Sequence, residues 1–230
     1  MLTFFLPDIL QREMDLTPSE KLKKFFATSK PSHFKNGEIV LRAGDQRSAA
    51  FYLKRGYVKD SASSRDGREF TLFIFKPEDI FSYSWIFNKI HNGHSFRAMG
   101  ECTILEKNRE AFLLFLETNP DVQFMIAQNI AIRMRGLMQR MEQMAFGSAT
   151  QKVASIIHIL GERFGKDENG KINIPLKLTQ QDIADLIGIS RETASIEINK
   201  LTIQNILTHN SGRYRIIDPK KLVKYSHLTV

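Results

Sequence analysis

The stretch TQQDIADLIGISRETASIEINKL, residues 179–201, constrains the fold more than any other, because its caps and apolar spacing admit two short helices and one tight corner. Thr179 followed three residues later by Asp182 has the form of a capping box, which predicts a helix from about Gln180 to Ile187. Gly188 takes the turn, and Ser190 supplies the N-cap of a second helix that begins at Arg191. On that helix Ala194, Ile198 and Leu201 recur at spacings of four and three, an apolar stripe that can pack on Ile183, Ala184 and Ile187. At about 100° per residue, Glu192, Ser195, Ile196 and Asn199 point away from the stripe, and Arg191 reaches them from the exposed N-terminus.

Two helices so joined have the geometry of a helix-turn-helix, whose second helix enters the major groove of double-stranded DNA. The spacing alone equally describes an αα-corner in a globular core, so the rest of the chain has to decide. Its 230 residues, 42% hydrophobic and 25% charged, suffice for one large domain or two small ones. A net charge of +8 and a pI near 9.6 favour a polyanionic partner without naming it. The lone Cys102 excludes an internal disulfide and a thiolate-held iron–sulfur centre, and fits a reducing cytoplasm. MLTFFLPDIL has no basic n-region, its apolar run stops at Pro7 and Asp8, and no stretch approaches the ~20 apolar residues of a membrane span. A soluble cytoplasmic protein is expected. No phosphate-cradling glycine loop, metal-ligand spacing or nucleophile motif is present, so neither an enzyme nor a bound cofactor or metal is expected.

Residues 16–26 read as a short helix with Pro18 in its first turn. From Pro31 onward glycines at 37, 44, 56 and 67 break apolar runs into strands and turns, and Asp66-Gly67 predicts a two-residue hairpin turn. Lys76–Asp79 marks the next turn, a strand spans about Phe96–Glu106, and a short helix Arg109–Leu116 follows. Several short strands at this spacing predict a barrel or jelly roll over residues 1–119. Pro120 then opens the longest helix, to about Phe146, whose apolar face is wide enough to carry two lines. One line lies on the barrel and the other meets a second copy, with Ile130, Met134, Leu137, Met141 and Met144 as the dimer seam. A single buried core helix would carry the same pattern. Arg133, Arg135 and Arg140 are expected to keep the remaining face solvated.

Gly147-Ser148 ends that helix and forms the expected hinge into a domain over residues 147–230. Thr150–Phe164 is helical, Gly165–Lys171 is a polar turn, and a short strand leads into the helix pair. Ile206-Leu207 and Tyr214–Ile217 flank Asn210-Ser211-Gly212 as a wing, where Arg213 and Arg215 lie on phosphate or are simply solvated.

This order of elements, with LTQQDIADLIGISRET, the NPD that opens the long helix and the MAF that closes it, resembles the Crp–Fnr superfamily of bacterial transcription regulators. The resemblance spans nearly the whole chain. It implies an α+β protein: an N-terminal β jelly-roll of the cyclic-nucleotide-binding type (1–119), a long dimerisation helix (120–146) and a C-terminal winged helix-turn-helix (147–230). It also implies a homodimer that inserts one reader helix into each half of a near-palindromic site, with RNA polymerase as a further partner. The turn Gly165–Lys171 falls near the surface some relatives use for polymerase. In this reading the DNA-binding residues are Thr179, Gln180, Ser190, Arg191, Glu192, Ser195, Ile196, Asn199 and Arg213. Arg191 and Glu192 fall at base-reading positions, and their chemistry suits guanine N7/O6 and cytosine N4. Ile196 departs from the arginine of well-known members, so a half-site with T·A where relatives require G·C is expected, the isoleucine packing on the thymine methyl.

The sensor departs further. Members that bind cAMP carry a Gly-Glu pair for the ribose and an Arg-Ser pair for the cyclic phosphate. Here Ser82 and Tyr83 stand at the Gly-Glu positions and no arginine lies between Glu69 and Arg97. Leu137 and Met138 replace the hydroxyl-bearing positions of the long helix, so cAMP is not the expected effector. What remains is an apolar pocket lined by Phe73, Phe75, Phe81, Tyr83, Trp85, Leu137 and Met138, either holding a small apolar effector or serving as plain core. His91 and His94 are the nearby residues that could bind haem or metal; on a polar turn they read as solvated, and they are too few for a structural zinc site. An enzyme-regulatory cupin-like barrel would instead bind metal or substrate there, and a small-molecule or cyclic-nucleotide-binding protein acting through protein contacts is the other alternative. The resemblance implies that effector binding rotates the reader domains about Gly147-Ser148.

Overall fold

The computed structural model describes residues 16–45, 49–90 and 93–226. Helix α1 (Pro18–Ala27) starts on a full capping box, Thr17 with Glu20, and carries its proline in the first turn. The N-terminal domain then runs β1 (Ser32–Phe34), β2 (Ile39–Leu41), β3 (Ala49–Ser63), β4 (Glu69–Phe75), β5 (Ile80–Phe81), α2 (Tyr83–Asn88), β6 (Ser95–Asn108) and α3 (Arg109–Glu117). The strands form one antiparallel sheet of order β1-β6-β3-β4, with β2 also on β6 and β5 also on β3.

Two long strands let this one sheet roll over on itself. β3 and β6 are 15 and 14 residues long, and their pairing shifts register between Leu53 and Arg55 and again between Arg55 and Tyr57. Gly56, expected to end a strand, lies inside β3 at φ 88°, pressed so closely on Glu101 and Cys102 that a Cβ would collide with their atoms. The position is a bulge, and bulges bend strands. The hairpin at Asp66-Gly67 also differs from expectation: Ser64 N–H donates to the Arg68 carbonyl at 2.9 Å, leaving a three-residue loop. Inside the roll the rings of Phe51, Phe75, Phe81 and Phe96 pack together, with centroids 5.3 Å apart for Phe51–Phe81, Phe75–Phe81 and Phe81–Phe96.

Helix α4 (Pro120–Phe146) leaves the domain with Val122 and Ile126 buried and Lys21 bonded to Asp121 at 2.8 Å. Two parts of the expected face assignment change. Ile130, Met134, Met138 and Met141 are exposed as one stripe, whereas Leu137 and Met144 are half-buried toward their own chain. Arg133 and Arg140 are not solvated: they share the inward face with Val122 and Ile126 at seven- and four-residue spacings, and only Arg135 of the three is exposed.

Gly147 has extended backbone and Ser148 caps α5 (Ala149–Phe164) through a capping box with Gln151. The expected polar turn is a hairpin, β7 (Lys166–Glu168) and β8 (Lys171–Ile174), closed by Asn169-Gly170, both at positive φ. α6 (Gln180–Ile187), α7 (Arg191–Ile203), β9 (Leu207–Asn210), β10 (Arg213–Ile216) and α8 (Pro219–Ser226) follow, the strands ordered β7-β8-β10-β9. The core of this domain gathers Val153, Ile157 and Leu160 of α5 with the facing residues of α6 and α7, and it includes Ile74 of β4. Among the described residues no helix is long and apolar enough to cross a membrane.

Candidate DNA-reading surface and sensor cavity

The helix pair is fastened at both starts. Thr179 Oγ1 accepts from the Asp182 amide at 3.1 Å and Asp182 Oδ2 accepts from the Thr179 amide at 2.9 Å. Gly188 turns at φ 65°, and Ser190 Oγ accepts from the Thr193 amide at 3.1 Å. Ala194, Ile198 and Leu201 are fully buried, together with Ile183 and Ala184, which fixes α7 about its own axis. Its opposite side faces solvent: Arg191, Glu192 and Asn199 are exposed, Ile196 is 55% exposed, and Ser195 is half-buried. Thr179 and Ser190 are exposed at the helix starts, Gln180 is half-buried, and Arg213 is exposed beside the wing turn. Arg215 differs from Arg213: it is half-buried and lies 3.6 Å from Glu168 of the neighbouring hairpin.

Arg191 Nη2 donates to Glu192 Oε1 at 3.2 Å. The Glu192 carboxyl is held below its usual range first by its own backbone amide and then by Arg191. Such an exposed pair contributes little in water, so neither side chain is committed to the other. Glu197 was not singled out from the sequence, yet it accepts from Thr150 Oγ1 of α5 at 2.6 Å and from Lys200 Nζ at 2.7 Å. It is buried, which works against ionisation, but the two bonds outweigh burial and hold its carboxyl below the usual range. Its place beside Ile198 on the apolar stripe was the available signal. The reader also leans on the sensor: Lys59 of β3 lies 3.7 Å from Asp182, and Tyr57 meets Phe164 edge to face at 5.9 Å.

The residues expected to line one apolar pocket are dispersed. Phe81 is fully buried in the ring cluster with Phe75, Met138 is exposed, and Tyr83 and Trp85 sit half-buried on α2. Burial pushes the Tyr83 hydroxyl up to about 12. Ser82 enters α2 in the left-handed region at φ 74°. Phe73 and Leu137 both line a different cavity, of about 530 Å³, between β4, α4 and α5. His94 Nδ1 lies 3.6 Å from Asp60, and His91 is outside the described residues. Among the described residues no group of His, Cys, Asp and Glu could hold a metal ion.

A winged helix-turn-helix carried on a long helix from a rolled antiparallel sheet defines the architecture of a DNA-binding regulator. Residues 31–119 match the cyclic nucleotide-binding domain, and residues 151–225 match the Crp-like helix-turn-helix domain. The chain is 28% identical to a CRP-like cAMP-activated global transcriptional regulator of Mycobacterium tuberculosis over 72% of its length and 74% of the relative's. It is 25% identical to the nitrogen fixation regulation protein FixK of Bradyrhizobium diazoefficiens, covering 88% of this chain and 84% of FixK. A CooA variant of Carboxydothermus hydrogenoformans has the same fold, with TM-score 0.77 at 22% identity over 92% of this chain and 96% of CooA. The chain belongs to the Crp–Fnr family of transcription regulators.

Proposed function

We propose that the protein is a homodimeric, sequence-specific regulator that reads DNA in the cytoplasm through α7 and answers to an effector other than cAMP, with no bound cofactor. The observation that carries the reading is the division of α7: one side wholly buried, the other presenting Arg191, Glu192 and a largely exposed isoleucine. An apolar Ile196 held at the surface of a reader helix suits a thymine methyl, as the flanking pair suits guanine and cytosine. Dimerisation is supported by the exposed stripe Ile130, Met134, Met138 and Met141, which has the spacing of a two-stranded coiled coil. Such a stripe on one long helix is a large apolar patch for a soluble monomer.

Three features support an effector other than the cAMP of the mycobacterial relative. The roll interior is filled by phenylalanine rings, the cyclic-phosphate arginine is missing, and Leu137 and Met138 offer no hydroxyl. The exposed β7–β8 hairpin is the surface we assign to RNA polymerase. Selection of bound sites from random DNA tests the main reading. The expected result is a near-palindrome whose half-sites lie about one helical turn apart, roughly 34 Å. Ile196→Arg is expected to move one selected position from T·A to G·C; an unchanged motif, or retention that ignores salt, would sink the assignment.

A further inference from the structure

The cavity between β4, α4 and α5 is built from an apolar wall and a surplus of guanidinium groups. Asp79 accepts from Arg133 Nη2 on Oδ1 at 2.6 Å and from Arg163 Nη2 on Oδ2 at 3.0 Å, so both its oxygens are engaged. Arg140 is only 8% exposed and has no carboxylate partner among the described residues; its Nη1 and Nη2 donate to the Leu72 and Thr71 carbonyls at 2.9 and 2.8 Å. The Nε atoms of Arg140 and Arg163 are buried and donate to no acceptor among the described residues. Three largely buried cations therefore stand against one buried carboxylate, which pairs with only two of them. Glu162 is the other acid on the lining, which also carries Lys76 and Arg135, so the positive excess remains.

Burying a charge without a counter-charge is expensive, and burial holds Arg140 down to about 10. A bound anion removes that penalty, and guanidinium forks are suited to carboxylate and phosphate. Beside the uncharged polar Asn129 and Gln139, the rest of the wall is apolar, including Phe73, Ile132, Leu137 and Ile156, and Arg163 Cζ lies 4.2 Å from the Phe73 ring centroid. A volume of about 530 Å³ lies within the range of small-molecule sites. We propose that this cavity binds a small organic anion, its carboxylate or phosphate held by Arg140 and Arg163 and its apolar body against α4 and α5. Because the walls come from the sensor sheet, the long helix and the first helix of the reader domain, occupancy also sets how that domain seats on the sensor. This coupling rests on the DNA-binding reading; the binding itself does not.

Calorimetry and thermal melting of the full chain, without DNA, test the binding with four probes: octanoate, phenyl phosphate, octanamide and inorganic phosphate. The expected result is saturable stabilisation by octanoate or phenyl phosphate, the stronger of the two identifying the headgroup, and none from octanamide. Arg163→Gln is expected to weaken binding about tenfold or more. Gly136→Leu places bulk on the cavity lining while leaving every arginine in the sequence: a Cβ there meets nothing within 4 Å, and leucine favours the helix. It is expected to keep the fold and lose the response. No saturable response to either organic anion, equal protection by octanamide or by inorganic phosphate, or an undiminished response in folded Arg163→Gln and Gly136→Leu would each overturn the proposal. Titrating the binding anion against DNA affinity then reads the coupling separately.

Discussion

On the reader helix Arg191 and Glu192 meet at 3.2 Å with side chains 59% and 68% exposed, whereas at the sensor junction Arg133 and Arg163 close on Asp79 at 2.6 and 3.0 Å behind protein walls. The same two functional groups do opposite work because water differs. In the exposed pair the ions keep most of their hydration, so the contact is weak and easily exchanged. In the buried set hydration has been surrendered, so each ion depends on the others and losing one strands the rest. Asp60 gives a third case: a carboxyl on β3 with no arginine partner among the described residues, 3.6 Å from His94 Nδ1 and pushed up to about 7 by burial.

Four substitutions would break or sharpen this contrast. Asp79→Ala leaves two buried guanidiniums unpaired and is expected to lower stability by about 3–5 kcal/mol in denaturant titrations; a loss below about 1 kcal/mol would mean the junction is wetter than its geometry. Asp60→Asn should act in the opposite sense and depend on pH. Below about pH 4 the folded and unfolded chains both hold the Asp60 proton and the substitution changes little. As pH rises toward 7 the folded chain retains a proton that the unfolded chain releases, so wild-type stability falls, and above 7 the penalty is complete. The variant is therefore expected to melt higher than wild type at pH 8, by at most about 4 kcal/mol, with the gain vanishing toward pH 4.

Arg191→Ala is expected to cost about 1–3 kcal/mol in specific DNA binding while changing stability by less than about 0.5 kcal/mol. Fluorescence anisotropy beside a melting curve separates the two, and a matching loss of stability would place Arg191 among structural residues. The smallest effect belongs to Arg213→Ala on the wing. It should weaken binding alike on all sequences and reduce the salt slope by about one; a change in the selected motif would instead make the wing a reader.

How far each region could be read from the sequence depends on how local its causes are. The caps at Thr179 and Ser190, the turn at Gly188 and the bounds Pro120–Phe146 act within one or two helical turns, and the structure places them where the residues predict. Asn169-Gly170 was equally local, but its charged flanks hid a hairpin behind what reads as a polar turn. Gly56 has the sequence signature of a strand break because the residues that crowd it, Glu101 and Cys102, lie 45 and 46 positions away along the chain, as far as the Cys102 thiol lies from the Tyr57 carbonyl to which it donates. Arg133 and Arg140 carried a partial signal: their seven-residue spacing continues the line of Val122 and Ile126, but charge argued for solvent.

By itself the sequence determined the reader and its carrier: two capped helices with one apolar stripe, the wing, and a long helix ending at Gly147-Ser148, all set by periodicity and backbone preference. Only the tertiary structure decided what the sensor presents. It turned the roll's phenylalanines into a filled core and moved Leu137 and Met144 inward. It brought Asp79, Arg133 and Arg163 to one point from positions 54 and 84 residues apart. The physical reason is that a buried charge is decided by which distant partners reach it and how much water remains, and neither quantity has a period along the chain.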